Sequence, residues 1–85
     1  MSVHLAWSDY AEDALRNIPW LDAAWIASEV ARYAEHGVGD VRRVPLASGS
    51  LAPVLFLPGY RVVLSYDRTT RTLWVRGVLR AARTS

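Results

Sequence analysis

Hydrophobic and polar positions alternate through two runs near the end of the sequence. Residues 60–80, YRVVLSYDRTTRTLWVRGVLR, contain two β-branched and aromatic stretches on either side of a polar segment at 67–71, which is typical of a β-hairpin. Strand side chains alternate between two faces, and one face collects apolar residues: Tyr60, Val62, Leu64, Tyr66, Leu73, Val75 and Leu79. The opposite face collects the other set: Arg61, Val63, Ser65, Trp74, Arg76, Val78 and Arg80. The apolar face requires a cover, and the face with the arginines is the candidate working surface.

Apolar residues at spacings of three and four predict two helices before this hairpin. The first helix is predicted from Ser8, which can cap it, to about Asn17. The second is predicted from Pro19 to His36, with Gly37 as the left-handed residue that ends it. The two apolar stripes comprise Ala11, Ala14, Leu15 and Ile18, then Ala23, Ile26, Ala27, Val30, Tyr33 and Ala34. This pair of helices is predicted to cover the apolar face of the sheet.

Two further strands complete the predicted sheet. Residues 3–7 form a short alternating run, and residues 51–57 form an apolar run in which Pro53 indicates an edge strand or a late start. Residues 38–46 are predicted to cross back to the sheet, and Pro58-Gly59 predicts a turn. The order β-α-α-β-β-β predicts one α+β domain over residues 1–85, with a helical hairpin packed on one face of a small, mainly antiparallel sheet. We expect Trp7 and Trp25 to fill its core.

Charge is separated along the chain. Residues 1–40 hold two arginines and seven acids, whereas residues 41–85 hold eight arginines and one acid, so the two parts carry net charges of −5 and +7. All ten basic residues are arginines, which bind phosphate and carboxylate groups with two parallel hydrogen bonds. The second part therefore predicts an anionic partner, either nucleic acid or an acidic protein segment. The alternative for the arginines is a solvated sheet face.

Composition excludes several other classes of protein. Cysteine is absent, no run is long enough to span a bilayer, and no secretory signal is visible, which together predict a cytoplasmic protein without disulfides. The histidines His4 and His36 lack the spaced partners of a metal site, so no metal or cofactor is predicted. Arginine can stabilise the charge that develops on a phosphate during RNA cleavage by the 2′-hydroxyl, but it stays protonated and cannot shuttle the proton. No acid–base pair is evident beside these arginines.

The ordered set of motifs resembles the RelE/ParE superfamily of bacterial toxins. The resemblance covers nearly the whole chain and includes the strand ending in Trp7-Ser8, the break at Ile18-Pro19, Gly37 followed by 41–44 (VRRV), and the final strand 72–80. Its most specific part is 59–62 (GYRV) before an antiparallel hairpin. This resemblance implies the fold predicted above, an acidic antitoxin as partner, and inhibition of translation by metal-independent cleavage of mRNA on the ribosome or by ribosome binding.

The resemblance also assigns residues. Arg61 matches the family arginine after Gly-Tyr, and Arg80, or alternatively Arg83, matches the basic residue that follows the last strand. Arg61 and Arg80 are therefore the candidates for the catalytic role of holding phosphate. The candidate nucleic-acid-binding residues are Arg42, Arg43, Trp74, Arg76 and Arg83. RelE-type nucleases usually carry basic residues on the strand that is 52–57 here, where none occurs, and often a C-terminal tyrosine or histidine, also absent. Two alternatives therefore stay open: a ParE-type poison of DNA gyrase without catalysis, and a degenerate toxin that only binds its antitoxin.

Overall fold

The computed structural model describes residues 3–81 and confirms the α+β class. Its elements are β1 (His4–Trp7), α1 (Asp9–Arg16), α2 (Trp20–His36), β2 (Val41–Pro45), β3 (Leu51–Leu57), β4 (Tyr60–Asp67) and β5 (Thr72–Arg80). The five strands form one sheet in the order β1-β5-β4-β3-β2. Every neighbouring pair is antiparallel except β1 and β5, which run parallel. The segment predicted only to cross back to the sheet contains the strand β2, so the order is β-α-α-β-β-β-β.

Both helices begin and end where the sequence provides the corresponding signals. The Ser8 hydroxyl accepts a hydrogen bond from the Ala11 N–H at 3.1 Å and so caps α1. The helix α2 follows Pro19, and Gly37 ends it with a φ of 68°, donating its N–H to the Tyr33 carbonyl at 2.8 Å. That left-handed conformation is the one that glycine adopts without strain. In the described part of the chain no helix has the length and apolar character needed to cross a membrane.

The core lies between the two helices and one face of the sheet. Its largest fully buried side chains come from α2 and from the three central strands: Ile26, Val30, Leu55, Val62, Leu64 and Val75. Trp7 packs against this core as expected, but Trp25 is 37% exposed and the prediction that it fills the core is wrong. Trp25 lies instead on the outer side of α2 near Trp20 and Leu21, both largely exposed. This leaves three large apolar side chains on a helix surface.

A β-bulge in β5 changes which side its last residues face. Leu64 pairs with Val75 and Val62 pairs with Val78, and all four are buried in the core. Two residues, Arg76 and Gly77, therefore stand between Val75 and Val78 where strict alternation allows one. Beyond the bulge the faces are exchanged, so the predicted positions of Val78, Leu79 and Arg80 are wrong. Val78 enters the core, and Arg80 pairs with the buried Tyr60 on the helix side.

Tyr60 connects the sheet to α2. This residue is 7% exposed, and its hydroxyl donates a hydrogen bond of 2.7 Å to a carboxylate oxygen of Asp22. We expect Tyr60→Phe to lower the free energy of unfolding by about 1–2 kcal/mol, because it leaves the partly buried carboxylate without this donor. Urea denaturation of the two proteins measures the change. An unchanged midpoint would show that water replaces the hydroxyl without loss.

Candidate nucleic-acid interface

The side of the sheet opposite the helices carries guanidinium and aromatic groups next to each other. We call this surface the arginine face and define it by Arg42, Phe56, Arg61, Ser65, Trp74 and Arg76. Register places these residues there, because Phe56 pairs with Arg61 and Ser65 pairs with Trp74, each next to a buried pair of the opposite side. The turn Pro58-Gly59 sets the first of these pairs, since a two-residue connection aligns the residues on either side of it.

Phe56 lies beneath two guanidinium groups. The Arg61 guanidinium carbon is 4.3 Å from the centre of the ring, and that of Arg42 is 4.4 Å from it. Cations within about 6 Å of an aromatic ring are attracted to its negative face, with a contribution of about 0.5–1 kcal/mol at an exposed site. Both arginines come from strands adjacent to β3, so the sheet itself brings the three groups together.

Main-chain hydrogen bonds fix the orientation of Arg61. Its Nη1 group donates to the carbonyl oxygens of Leu57 and Tyr60, at 2.9 and 2.8 Å. These carbonyls flank the turn between β3 and β4, so the guanidinium is held over the ring by the hairpin's own backbone. An arginine held in this way loses little further freedom when it binds an anion, which favours tight binding.

A second guanidinium–aromatic pair lies on β5. The Arg76 guanidinium carbon is 4.8 Å from the centre of the Trp74 ring, and its Nε donates to the Ser65 hydroxyl at 2.9 Å. Ser65 lies four residues beyond Arg61 on β4, a distance of roughly 13 Å along an extended strand. The arginine face therefore offers two aromatic rings, each with at least one arginine, separated by more than the width of one nucleotide base.

A carboxylate adjoins the Phe56 end of this face. Asp40 binds Arg42 through both of its oxygens, at 2.9 and 3.1 Å. The hydrogen bonds from Arg42 lower the pKa of the Asp40 carboxyl group below its ordinary value, and the charges of Arg42 and Arg61 act in the same direction. Asp40, Arg42, Phe56 and Arg61 together line an open groove of about 310 Å³.

The structure separates the residues that the sequence grouped together. Arg42, Arg61, Trp74 and Arg76 do share one face, although Arg80 and Arg43 do not. Arg80 lies on the helix side of the sheet and donates to the Asn17 carbonyl at 3.3 Å, where a cation suits the end of α1. The predicted common face for Arg61 and Arg80 is therefore wrong.

Arg43 also falls outside this group. Arg43 lines a separate cleft of about 520 Å³ on the helix side, together with Tyr33 and Leu64. Arg83 lies outside the described residues. Of the six predicted site residues that the structure describes, four therefore share the arginine face.

Sequence reasoning missed two members of this site. Phe56 belongs to an apolar run that by itself indicates no binding role, although the two-residue turn at 58–59 places it opposite Arg61. Asp40 follows the acid-rich helical part in the sequence, but it precedes β2 and lies next to Arg42. Among residues 3–81, no histidine or tyrosine lines the groove, and Asp40 is the one residue with a carboxylate that does. The arginine face therefore supplies positive charge and stacking surfaces without a histidine or tyrosine to transfer protons.

Solved structures of RelE toxins have the same fold. The chain aligns with the RelBE2 toxin–antitoxin complex of Mycobacterium tuberculosis at a TM-score of 0.82 and 12% identity, covering 98% of this chain and 95% of the other. It aligns with the RelE–RelB complex of Pyrococcus horikoshii at 0.76 and 15%, covering 99% and 100%. For the isolated RelE toxin of Escherichia coli the values are 0.63 and 16%, with 98% and 88% covered. Neither a family model nor a curated protein matches the sequence.

At these identities the likeness establishes the architecture. The chain has the RelE fold, as the resemblance of its motifs predicted, and it spans nearly the full length of the chains to which it is similar. On this fold, the chain carries the guanidinium groups and aromatic rings of the arginine face.

Proposed function

We propose that this protein is the toxin of a type II toxin–antitoxin module and inhibits translation by binding messenger RNA on the ribosome. The observation that carries the proposal is the position of Arg61, which the hairpin backbone holds over Phe56 in a groove shared with Arg42. A ribosome-directed toxin acts in the cytoplasm, in agreement with the absence of cysteine.

The mixture of groups on the arginine face favours a single nucleic acid strand as ligand. Guanidinium groups bind phosphates, and the exposed parts of Phe56 and Trp74 can stack against unpaired bases. Stacking on an aromatic side chain contributes about 1–3 kcal/mol per base. A double helix would contact the arginines through its phosphates, but its bases are stacked on one another and could not stack on the two rings.

Cleavage is a separate step with its own requirement. Attack of a ribose 2′-hydroxyl on the next phosphate places negative charge on the phosphate oxygens, and Arg61 and Arg42 are placed to stabilise it. The proton must be taken by another group, because a guanidinium stays protonated. Among residues 3–81 that line the groove, only Asp40 could accept it, and the pairing with Arg42 lowers the pKa of that carboxyl group, so it is a weak base. We therefore propose that this face binds RNA, and the primer-extension experiment below measures whether the bound RNA is also cut.

An acidic antitoxin is the proposed protein partner. Two of the three similar structures named above are toxin–antitoxin complexes, and residues 41–85 of this chain carry a net charge of +7. The exposed apolar surface of α2, formed by Trp20, Leu21 and Trp25, adds area that a protein partner would cover. The arginine face and this apolar surface lie on different sides of the domain, and an antitoxin that wraps around the protein could cover both.

Cell-free translation tests the proposed function. We expect the purified protein to stop synthesis of a reporter, and primer extension on the ribosome-bound mRNA to show either a cut or a stalled position at the codon being read. The control reaction contains DNA gyrase and supercoiled plasmid in place of ribosomes. Uninhibited translation together with gyrase-dependent DNA breaks would replace this proposal by the gyrase poison, which the missing acid–base pair keeps as the second candidate.

A further inference from the structure

The Asp40 carboxylate occupies a position that suits a phosphate group. We infer that Asp40 is an internal competitor for RNA: its carboxylate binds Arg42 in the free protein, and an RNA phosphate replaces it there. This inference deepens the proposed function and rests on the arginine face being the RNA-binding surface. Its consequence is that the protein weakens its own affinity for RNA through one acidic side chain.

The geometry of the pair supports the exchange. Nε and Nη2 of Arg42 donate to the two carboxylate oxygens at 3.1 and 2.9 Å, which is the two-pronged arrangement that guanidinium groups also form with phosphates. The same guanidinium lies over Phe56 beside Arg61. A phosphate in place of the carboxylate would therefore contact one arginine directly and lie within reach of the second.

Releasing Asp40 requires little rearrangement. The pair is exposed, with 61% of the Arg42 side chain and 53% of the Asp40 side chain accessible to solvent. Exposed ion pairs of this kind contribute little to stability, because water and salt screen the two charges. The Asp40 carbonyl accepts a hydrogen bond from the Phe56 N–H at 2.8 Å, so the backbone is anchored to β3 while the side chain can rotate. The carboxylate can thus leave Arg42 without disturbing the sheet.

RNA fits this position better than an acidic protein segment does. The groove pairs two arginines with the Phe56 ring, and a nucleotide supplies both the phosphate and the base that these groups can contact. A glutamate or aspartate side chain would contact the guanidinium groups and leave the exposed part of the Phe56 ring uncovered. We therefore choose single-stranded RNA as the ligand that competes with Asp40.

A pair of charge-matched variants tests this inference. Asp40→Asn removes the competitor, and Asp13→Asn removes an equal charge from an exposed carboxylate that pairs with Arg16 at 3.0 Å on α1. The probe is a fluorescein-labelled RNA hexamer of mixed sequence, and anisotropy gives its dissociation constant. We expect Asp40→Asn to bind about five-fold more tightly than the unmodified protein and Asp13→Asn to stay within two-fold of it. The slope of log K against log salt should steepen by about 0.7 in Asp40→Asn alone, the value for one more neutralised phosphate of a single strand.

Arg42 provides the internal control. If Asp40 acts through Arg42, Asp40→Asn should no longer tighten RNA binding in a protein that also carries Arg42→Ala. The guanidinium group for which the carboxylate and the phosphate compete is then absent. Thermal unfolding of each variant checks that the domain is folded. A gain that persists without Arg42 would overturn the inference.

Other outcomes would also overturn it. If Asp40→Asn and Asp13→Asn tightened RNA binding equally, the effect would come from net charge alone. If Asp40→Asn bound RNA more weakly, the carboxylate would act by positioning Arg42. No binding of the hexamer to any variant would overturn it as well, and so would a glutamate-rich peptide that gains more than RNA does. Inhibition of translation is measured separately, so the proposed function can fail while this binding result stands, or the reverse.

Discussion

Arg61→Ala is expected to reduce inhibition of cell-free translation by about 100-fold. Arg61 lies at the centre of the arginine face, and its guanidinium is fixed by two carbonyl groups and lies over Phe56. Hydrogen bonds from a charged group contribute about 1.5–3 kcal/mol each, so loss of one oriented phosphate contact accounts for a change of this size. The measurement is the protein concentration that halves reporter synthesis, with RNA-hexamer affinity as the second readout.

Arg80→Ala is the matched control, because it removes the same charge from the opposite side of the sheet. Its guanidinium contacts the Asn17 carbonyl at the end of α1, so we expect a loss of about 0.5 kcal/mol in stability. Inhibition of translation should stay within three-fold of the unmodified protein. Melting curves must show that both variants are folded at the assay temperature. If folded Arg80→Ala lost as much activity as Arg61→Ala, the arginine face would not be the working surface.

Leu55→Ala is expected to lower the free energy of unfolding by about 3–4 kcal/mol. Leu55 is 1% exposed, lies in the middle of β3 and packs in the core. A leucine truncated in such a place loses its burial energy and leaves a cavity, at a cost of about 2–5 kcal/mol. Small domains have stabilities of about 5–15 kcal/mol, so this single change removes a large part of the total. Urea denaturation followed by tryptophan fluorescence measures it.

Leu51→Ala is the control for this substitution. It makes the same chemical change in the same strand, but Leu51 is 56% exposed at the beginning of β3. We expect a change within about 0.5 kcal/mol, as for most surface positions. Similar losses in the two variants would mean that β3 does not lie with Leu55 in the core, and the assignment of Phe56 to the opposite side would fail with it.

The sequence predicted most of the fold, because local signals and packing agreed over long stretches. Both helices follow apolar stripes with recognisable ends at Ser8 and Gly37, and the hairpin of β4 and β5 follows strict alternation as far as Val75. The strand β2 was not assigned. With only five residues it is too short to show a clear period, and it is an edge strand whose pairing with β3 depends on tertiary structure.

The misplacement of Arg80 has one physical origin. Alternation assigns faces correctly only while a strand is regular, and the extra residue at the β5 bulge moves Arg80 to the other side of the sheet. Gly77 was the available signal, since a glycine inside a strand often marks a bulge. The partnership of Phe56 with Arg61 was predictable from the two-residue turn, whereas the contact between Asp40 and Arg42 depends on side-chain conformations that spacing does not determine.

The parallel pairing of β1 with β5 constrains when the domain can be completed. His4 lies opposite Thr72, so the first strand pairs with residues that come 68 positions later in the chain. During synthesis the helices can form early, but the sheet cannot be finished, and Trp74 and Arg76 cannot take their places, before β5 has been made. The arginine face is therefore incomplete in any nascent chain that has not yet reached Arg76, whatever the rest of the sheet has formed by then.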